Sequence, residues 1–393
     1  MTDTNRCGPD PCGCSGDDEN KKPVTQLLSS LPVETPASLP APPPRTGHYI
    51  DGSVETAIGP IPRVSTSLGW ADRLGAWRVR WGIGRMAYLV TPGLYCVGDP
   101  TPESPLLVSA NYKLSLDRLR SQLAGRDLWI LVLDTRGVNV WCAAGKGTFG
   151  TTELVNRIRQ TRLAEIVSHK RLIVPQLGAT GVSAHLVKQQ SGFRVKYGPV
   201  QAEDLPAYLD AGLRATPEMR RVRFPFRDRM VLVPVEIAGY LRFALLGAIG
   251  LLVLSGLGRD GYVLARFWSH GLTSVALLWS GALAGMILVP ALLPWLPGRP
   301  FALKGAWIGG LAGLVLFLID SAAGTPHLFA NWATLSAWLV FVPAATSFVG
   351  MNFPGASNYT SLSGVLQEMR IAVPLQIGCA VVALGLWITG LFL

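Results

Sequence analysis

Hydrophobic and polar positions change their rhythm a little past the middle of the chain. Up to about residue 230, apolar residues come in short runs broken by dense charge of both signs. Beyond Glu236 the charges nearly vanish and long apolar runs take over. Five of these runs, about 237–257, 271–295, 303–319, 333–349 and 371–393, approach the roughly 20 residues needed to cross a bilayer core. The third and fourth are short. Backbone in lipid must satisfy its own hydrogen bonds, so all five are expected to be helices.

The earlier half alternates in a different way. "LLVSA" reads as a strand, "KLSLDRLRSQL" as a helix and "LWILVLDT" as a buried strand. "TTELVNRIRQTRLAEIV" is helical, "RLIVPQL" a strand, and "SAHLVKQQ" a helix stopped by Gly192. "FRVKYG" is a further strand and "AEDLPAYLDAG" a further helix. Strands separated by helices of this length predict an α/β domain with a mostly parallel, Rossmann-like sheet and helices on its faces. Ligands in such sheets sit beyond the carboxyl ends of the strands. The loops "TRGVNVWCAAGKGT" and "GATGVS" both directly follow predicted strands, which puts them on one rim.

Three regions result: a polar, proline-rich and disordered leader over 1–46, an α/β domain over 47–230, and an all-α membrane domain of five transmembrane helices over 231–393. Basic residues orient the spans. Arg214, Arg220, Arg221, Arg223, Arg227 and Arg229 precede the first, Arg299 and Lys304 join the second and third, and Arg370 precedes the fifth; the other side holds Arg259 and Arg266. The positive-inside bias places the α/β domain in the cytoplasm and the C-terminus outside, as a multi-pass protein of the inner (cytoplasmic) membrane. The start of the sequence lacks a signal-peptide pattern, which agrees. Much of the net charge of +10 sits in the arginine cluster, which suits anionic lipid better than nucleic acid.

A cytoplasmic address keeps the six cysteines reduced, so no disulfide framework is expected. Cys7, Cys12 and Cys14 in "CGPDPCGC" either bind or relay a metal or belong to an unstructured tail. An iron–sulfur cluster would call for a fourth thiolate. Cys96 in "LYCVG" reads as a core strand residue, and Cys379 as packing within the last span.

The stretch "NVWCAAGKGT", residues 139–148, carries the chemistry. Its tail looks like a phosphate-binding loop, which requires G-x-x-x-x-G-K-[ST]. Val140 stands where the first glycine should be and Gly147 where the hydroxyl should be, so two defining positions fail. Cys142 is either a small buried hydrophobe or a functional thiolate. It follows a strand at the ligand-binding rim, and Ala143, Ala144 and Gly145 beside it are small enough for a large flat ligand to lie against the backbone. It also lies in a loop approaching a helix, where aligned amides favour an anionic sulfur. No His or acid close in sequence offers itself as a partner for nucleophilic catalysis.

"NVWCAAGKGTFGT" resembles the signature of the membrane-bound corrinoid proteins of microbial mercury methylation. "TPGLYCVGDPTPESPLLVSANYKLSLDRLR" and "VPQLGATGVSAHLVKQQSGF" resemble the corrinoid-binding domain shared with the large subunit of the acetyl-CoA-pathway corrinoid iron–sulfur protein. "MNFPGASNYTSLSGVLQEM" is similar to a stretch of the mercury family's membrane domain. The likeness runs over about residues 55–393 and omits the leader.

The resemblance implies a cobalt-containing, cobalamin-type corrinoid with Cys142 as the lower axial cobalt ligand. It implies that Asn139, Val140, Trp141, Ala143, Ala144, Gly145 and Lys146 form a cap against the corrin face. The loop Gln176–Gly181, including Gly178, Ala179 and Thr180, would contact the cofactor. Lys146 would meet a cofactor amide or simply solvate the rim; Asn111 and Tyr112 would line the site or belong to the core. The implied activity is a corrinoid-dependent methyltransferase that forms methylmercury. Hg(II) is an electrophile, so the methyl must leave as a carbanion equivalent or a radical, and a thiolate trans to it supplies the push. An electron donor is needed; the resemblance suggests a ferredoxin-like iron–sulfur partner that could also deliver mercury. By analogy, the methyl would come from a methylated folate or the enzyme that handles it. Two rival readings stand beside this one. The first is a corrinoid methyl carrier for another acceptor in one-carbon or acetyl-CoA metabolism. The second is a membrane transporter or receptor with a ligand-binding soluble domain.

Overall fold

The computed structural model describes residues 47–322, 329–353 and 362–393. The leader with Cys7, Cys12 and Cys14, and part of the "MNFPGASNYT" stretch, lie outside the described residues.

Seven strands form one mixed sheet: β1 (Ile50–Thr56), β2 (Gly59–Val64), β3 (Gly93–Val97), β4 (Leu106–Ala110), β5 (Leu128–Leu133), β6 (Arg171–Val174) and β7 (Arg194–Tyr197). Their spatial order is β1-β2-β3-β5-β4-β6-β7. The half β5-β4-β6-β7 is parallel, as the alternation of elements predicts. β3 runs antiparallel to β5, and β1 antiparallel to β2. β3, β4 and β5 are buried at every residue, as strands covered on both faces should be. Successive residues still point to opposite sides. Leu106, Val108 and Ala110 join one core cluster, while Leu107 joins the other with Tyr95, Ile130 and Tyr208.

Helices α1 (Trp70–Arg80), α2 (Lys113–Arg120), α3 (Val140–Gly145), α4 (Thr151–Gln160) and α5 (Ala184–Ser191) connect the strands, and α6 (Leu205–Asp210) follows the last of them. The helix expected over 151–167 ends at Gln160. The Thr161 hydroxyl folds back to donate to the Arg157 carbonyl at 2.8 Å, and Arg162 takes a left-handed φ of 47°, so Leu163–Glu165 forms a separate 3-10 turn. Gly192 stops α5 with φ 77°, as expected.

Topology positions the site. From β4 the chain crosses through α2 to β5 on one side; from β5 it crosses through α3 and α4 to β6 on the other side of β4. The crossing direction therefore reverses between β4 and β6, the place where open α/β sheets bind ligands. These two strands pair in register at Leu107 and Ile173.

Five helices beyond the sheet are long and apolar enough to cross a membrane: Phe226–Ser255, Leu264–Leu292, Phe301–Ala322, Trp332–Met351 and Gly364–Leu391. The first comprises α7 (Phe226–Met230) and α8 (Val233–Ser255); the second comprises α9 (Leu264–Leu283), a π-helical turn and α10 (Val289–Leu292). α11 (Phe301–Ala322) and α12 (Trp332–Met351) approach closely through Gly305 and Gly309. A Cβ at Gly309 would lie 2.0 Å from Thr346 Oγ1, and one at Gly305 would lie 2.3 Å from the Thr346 carbonyl oxygen. Small residues four apart are a common way for helices to pack in lipid. The last helix is α13 (Leu362–Leu391).

Candidate functional site

Residues 139–146 form a short helix rather than the expected loop, and its first turn holds the cysteine. Asn139 is the N-cap: its side chain accepts a hydrogen bond from the Cys142 backbone N–H at 2.9 Å, filling one of the donors a helix start leaves open. The capped turn sorts its residues by face. Ala143 and Ala144 are buried in the core beneath the sheet's rim, and the Ala143 carbonyl accepts from Phe149 N. Cys142, Gly145 and Lys146 face outward, and Cys142 is exposed. Gly145 stands three residues after Cys142, on the same side of the turn. Nothing lies within 4 Å of where a Gly145 Cβ would be. The exposed thiol thus has open space beside it at Gly145.

The second rim loop supports this surface from below. Gln176–Gly178 makes a 3-10 turn after β6. A Cβ at Gly178 would lie 2.5 Å from the Phe149 ring, and one at Gly181 would lie 2.1 Å from the Phe149 carbonyl oxygen and 3.1 Å from Ala144 Cα. Only glycine lets the two loops come this close. Thr151 fastens them: its N–H donates to the Gly181 carbonyl, and its hydroxyl accepts from Ser183 N at 2.8 Å. Thr180 is exposed, Ala179 and Gln176 are half-buried, and Gln176 Oε1 accepts from Arg220 at 3.2 Å.

Asn111 is buried and braces the approach to the helix. Its Oδ1 accepts from Thr135 N, Thr135 Oγ1 and Gly137 N, and its Nδ2 donates to Asp134 Oδ1. Tyr112 is buried too and caps α2. Asn111 thus ties the end of β4 to the loop that leads into the cysteine's helix.

Beside the helix lies a cleft of about 370 Å³ lined by residues of β4 and β6 and bounded by Asn139, Val140 and Trp141. Its far walls are Val108, Leu119, Pro175 and Val200. These wall residues escaped the sequence reading. Their one signal is a proline just past each of two strands, Pro175 directly after β6 and Pro199 two residues after β7.

The other described cysteines do not join this site. Cys96 is fully buried, its thiol turned toward the carbonyls of Ile61 and Pro62, and burial pushes it up to about 12. Cys379 lies in the last long helix. Among the described residues no three His, Cys, Asp or Glu side chains gather into a metal-binding group, so Cys142 is a single soft donor.

Residues 84–209 match the family model for the CO dehydrogenase/acetyl-CoA synthase delta subunit. That match falls on the sheet that carries Cys142. Similar curated proteins include the acetyl-CoA decarbonylase/synthase complex subunit gamma of Archaeoglobus fulgidus, 29% identical over 123 residues that make up 31% of this chain and 26% of that protein. The subunit gamma of Methanopyrus kandleri is 32% identical over 123 residues, again 31% and 26%. That of Methanothermobacter thermautotrophicus is 30% identical over 128 residues, 32% and 28%. The chain spans about a quarter of the length of these relatives, and the five long apolar helices lie outside the residues that the family model matches.

Proposed function

We propose that this protein is a membrane-anchored corrinoid methyl-transfer protein in which Cys142 would hold the cobalt through its sulfur. One observation carries the reading: an exposed thiol stands on a capped helical turn, at the switch point of the sheet, with no side chain at Gly145 to obstruct a flat ligand. The site suits such a group in donor chemistry and in shape. A lone sulfur donor would suit a metal already held by its own macrocycle rather than one caged by the protein, and the cleft walled by Val108, Val140 and Leu119 offers apolar surface to a large cofactor.

The corrinoid would supply methyl-transfer chemistry, and an electron-rich sulfur from Cys142 would favour delivery of the methyl as a carbanion equivalent. The chain's part is to hold that ligand still. Asn139 fixes the turn, Gly178 and Gly181 allow the second loop to brace it, and Ala143 and Ala144 anchor it in the core. Trp141 borders both the cysteine and the cleft, where it would cover one edge of the ring.

The acceptor we propose is Hg(II), because an electrophilic metal ion is the acceptor that needs an anionic donor behind the methyl. A ferredoxin-like iron–sulfur protein would reduce the cobalt, a methyl-folate system would supply the methyl, and the arginine-rich entry to the first span would place the domain in the cytoplasm. The relatives favour a second reading. They are named as subunits of an acetyl-CoA decarbonylase/synthase complex, and a methyl carrier in one-carbon metabolism would share the sheet and rim with them. That role does not require a thiolate ligand. Methyl-loaded, membrane-reconstituted protein offered Hg(II) distinguishes the two. Methylmercury from wild type and none from Cys142→Ala supports the first reading; no methylmercury from wild type, with transfer to an acetyl-CoA-forming acceptor intact in both, supports the second.

A further inference from the structure

Helix α1 turns opposite faces to opposite environments. Asp72 and Val79 are buried against the α/β domain, where Asp72 meets Lys113 at 2.6 Å and Arg120 at 2.8 Å. On the other side Trp70, Leu74 and Trp77 recur at helical spacing with Trp81 just beyond, and Trp70 is 78% and Trp77 56% exposed. The apolar line continues through exposed Ile83 and Met86. Arg73 and Arg80 flank it on one edge and Arg78 on the other; all three are exposed, and none forms an ion pair among the described residues. Asp72, on the buried face, is the helix's one acidic residue.

We infer that α1 lies in the headgroup layer of an anionic bilayer, as a foot that holds the α/β domain on the membrane surface. Two observations choose lipid as the occupant. The first is charge and side-chain type: a tryptophan stripe edged by arginines on both sides is the composition of an interfacial helix, with aromatic rings at headgroup depth and guanidinium groups reaching the phosphates. The second is continuity with the spans. A Cβ at Gly82, just past the end of α1, would stand 3.9 Å from Ala238 Cβ and 4.0 Å from Val235 Cγ2, both in the opening turns of α8. The C-terminal end of α1 therefore abuts the opening turns of α8, within the first long apolar helix.

The foot is also coupled to the candidate site. A Cβ at Gly137, in the loop that leads into α3, would meet the Met86 carbonyl oxygen at 3.0 Å and Leu89 Cδ2 at 3.6 Å. Val90 N donates to the Asn111 carbonyl at 2.9 Å. A foot braced in this way holds the Cys142 rim at a fixed attitude to the bilayer. The inference does not depend on which acceptor takes the methyl.

The test uses the full chain with a photo-crosslinking benzoylphenylalanine in place of Trp77, in nanodiscs of phosphatidylcholine with phosphatidylglycerol. A control carries the same group at exposed Lys188 of α5. Mass spectrometry is expected to show lipid adducts at position 77 and none at 188. The yield at 77 should fall several-fold when phosphatidylglycerol is omitted, and by a similar factor when Arg73, Arg78 and Arg80 are all changed to glutamine. Label at position 77 left unreacted after irradiation, in protein that elutes as a folded monodisperse species, would overturn the inference, as would an adduct to protein instead of lipid. Yields that ignore both lipid charge and the arginines would overturn the anionic part.

Discussion

The Asn139 side chain holds the Cys142 amide at 2.9 Å, so the thiol that the proposal assigns to cobalt is fixed by the residue that starts its helix. Losing such a cap costs about 1 kcal/mol. Asn139→Ala should lower the melting temperature slightly and weaken corrinoid binding by more than that loss explains, because the helix it frays carries the ligand. Asn139→Asp keeps a cap acceptor and should restore most of both. Thermal melts and corrinoid titrations of the two variants check this.

Gly145 and Gly181 should respond in opposite ways to added bulk. A methyl at Gly181 would stand 2.1 Å from a backbone oxygen, so the loops must separate, and overpacking of this kind costs about 1–3 kcal/mol. A side chain at Gly145 meets nothing within 4 Å. Gly181→Ala should destabilise the protein measurably, while Gly145→Leu should leave its melting point nearly unchanged yet abolish corrinoid uptake. Uptake by Gly145→Leu equal to wild type would place the cofactor elsewhere.

Charge, rather than apolar packing, fastens α1 to α2. Burial pushes the Asp72 carboxyl up, but the hydrogen bonds and charges of Lys113 and Arg120 outweigh that and bring it to about 2 from an ordinary 3.8. A carboxyl depressed by folding contributes stability that is complete above 3.8 and is lost as pH falls from there toward 2. Asp72→Asn leaves Lys113 and Arg120 buried with Asp117 as their remaining acid, a loss of about 3–5 kcal/mol. The variant should also flatten the acid limb of the stability curve, which denaturant titrations at several pH values would show.

Alkylation should separate the cysteines. Cys142 is exposed, whereas Cys96 is buried with its thiol pushed up to about 12. Iodoacetamide followed by peptide mapping should modify Cys142 in the native protein and spare Cys96 until the protein unfolds. Bound corrinoid should protect Cys142. Equal labelling with and without cofactor would separate the thiol from the binding surface.

The parallel half of the sheet was legible because β4, β5 and β6 are short apolar runs between helices of matching length, and Gly192 marks a helix end without ambiguity. β1 and β2 were not legible. Pro60 and Pro62 remove donors from β2 and make it read as a loop, yet it pairs through its remaining groups with β1. α1 was hidden for another reason: its apolar stripe faces away from the protein, so its periodicity does not report a core. At the site, Cys142, Trp141 and the glycines were visible as residue types. Their arrangement as a capped helix was not, because six residues are too few to show a period. The roles of Asn111 and the cleft walls depend on contacts between segments more than twenty residues apart, which spacing in one sequence does not reveal.

Cobalt K-edge X-ray absorption on the corrinoid-loaded full chain tests the central claim most directly. A sulfur scatterer in the first cobalt shell of wild type, replaced by nitrogen or oxygen in Cys142→Ala, is the predicted result. A shell of nitrogen and oxygen alone, the same in both proteins, would contradict it.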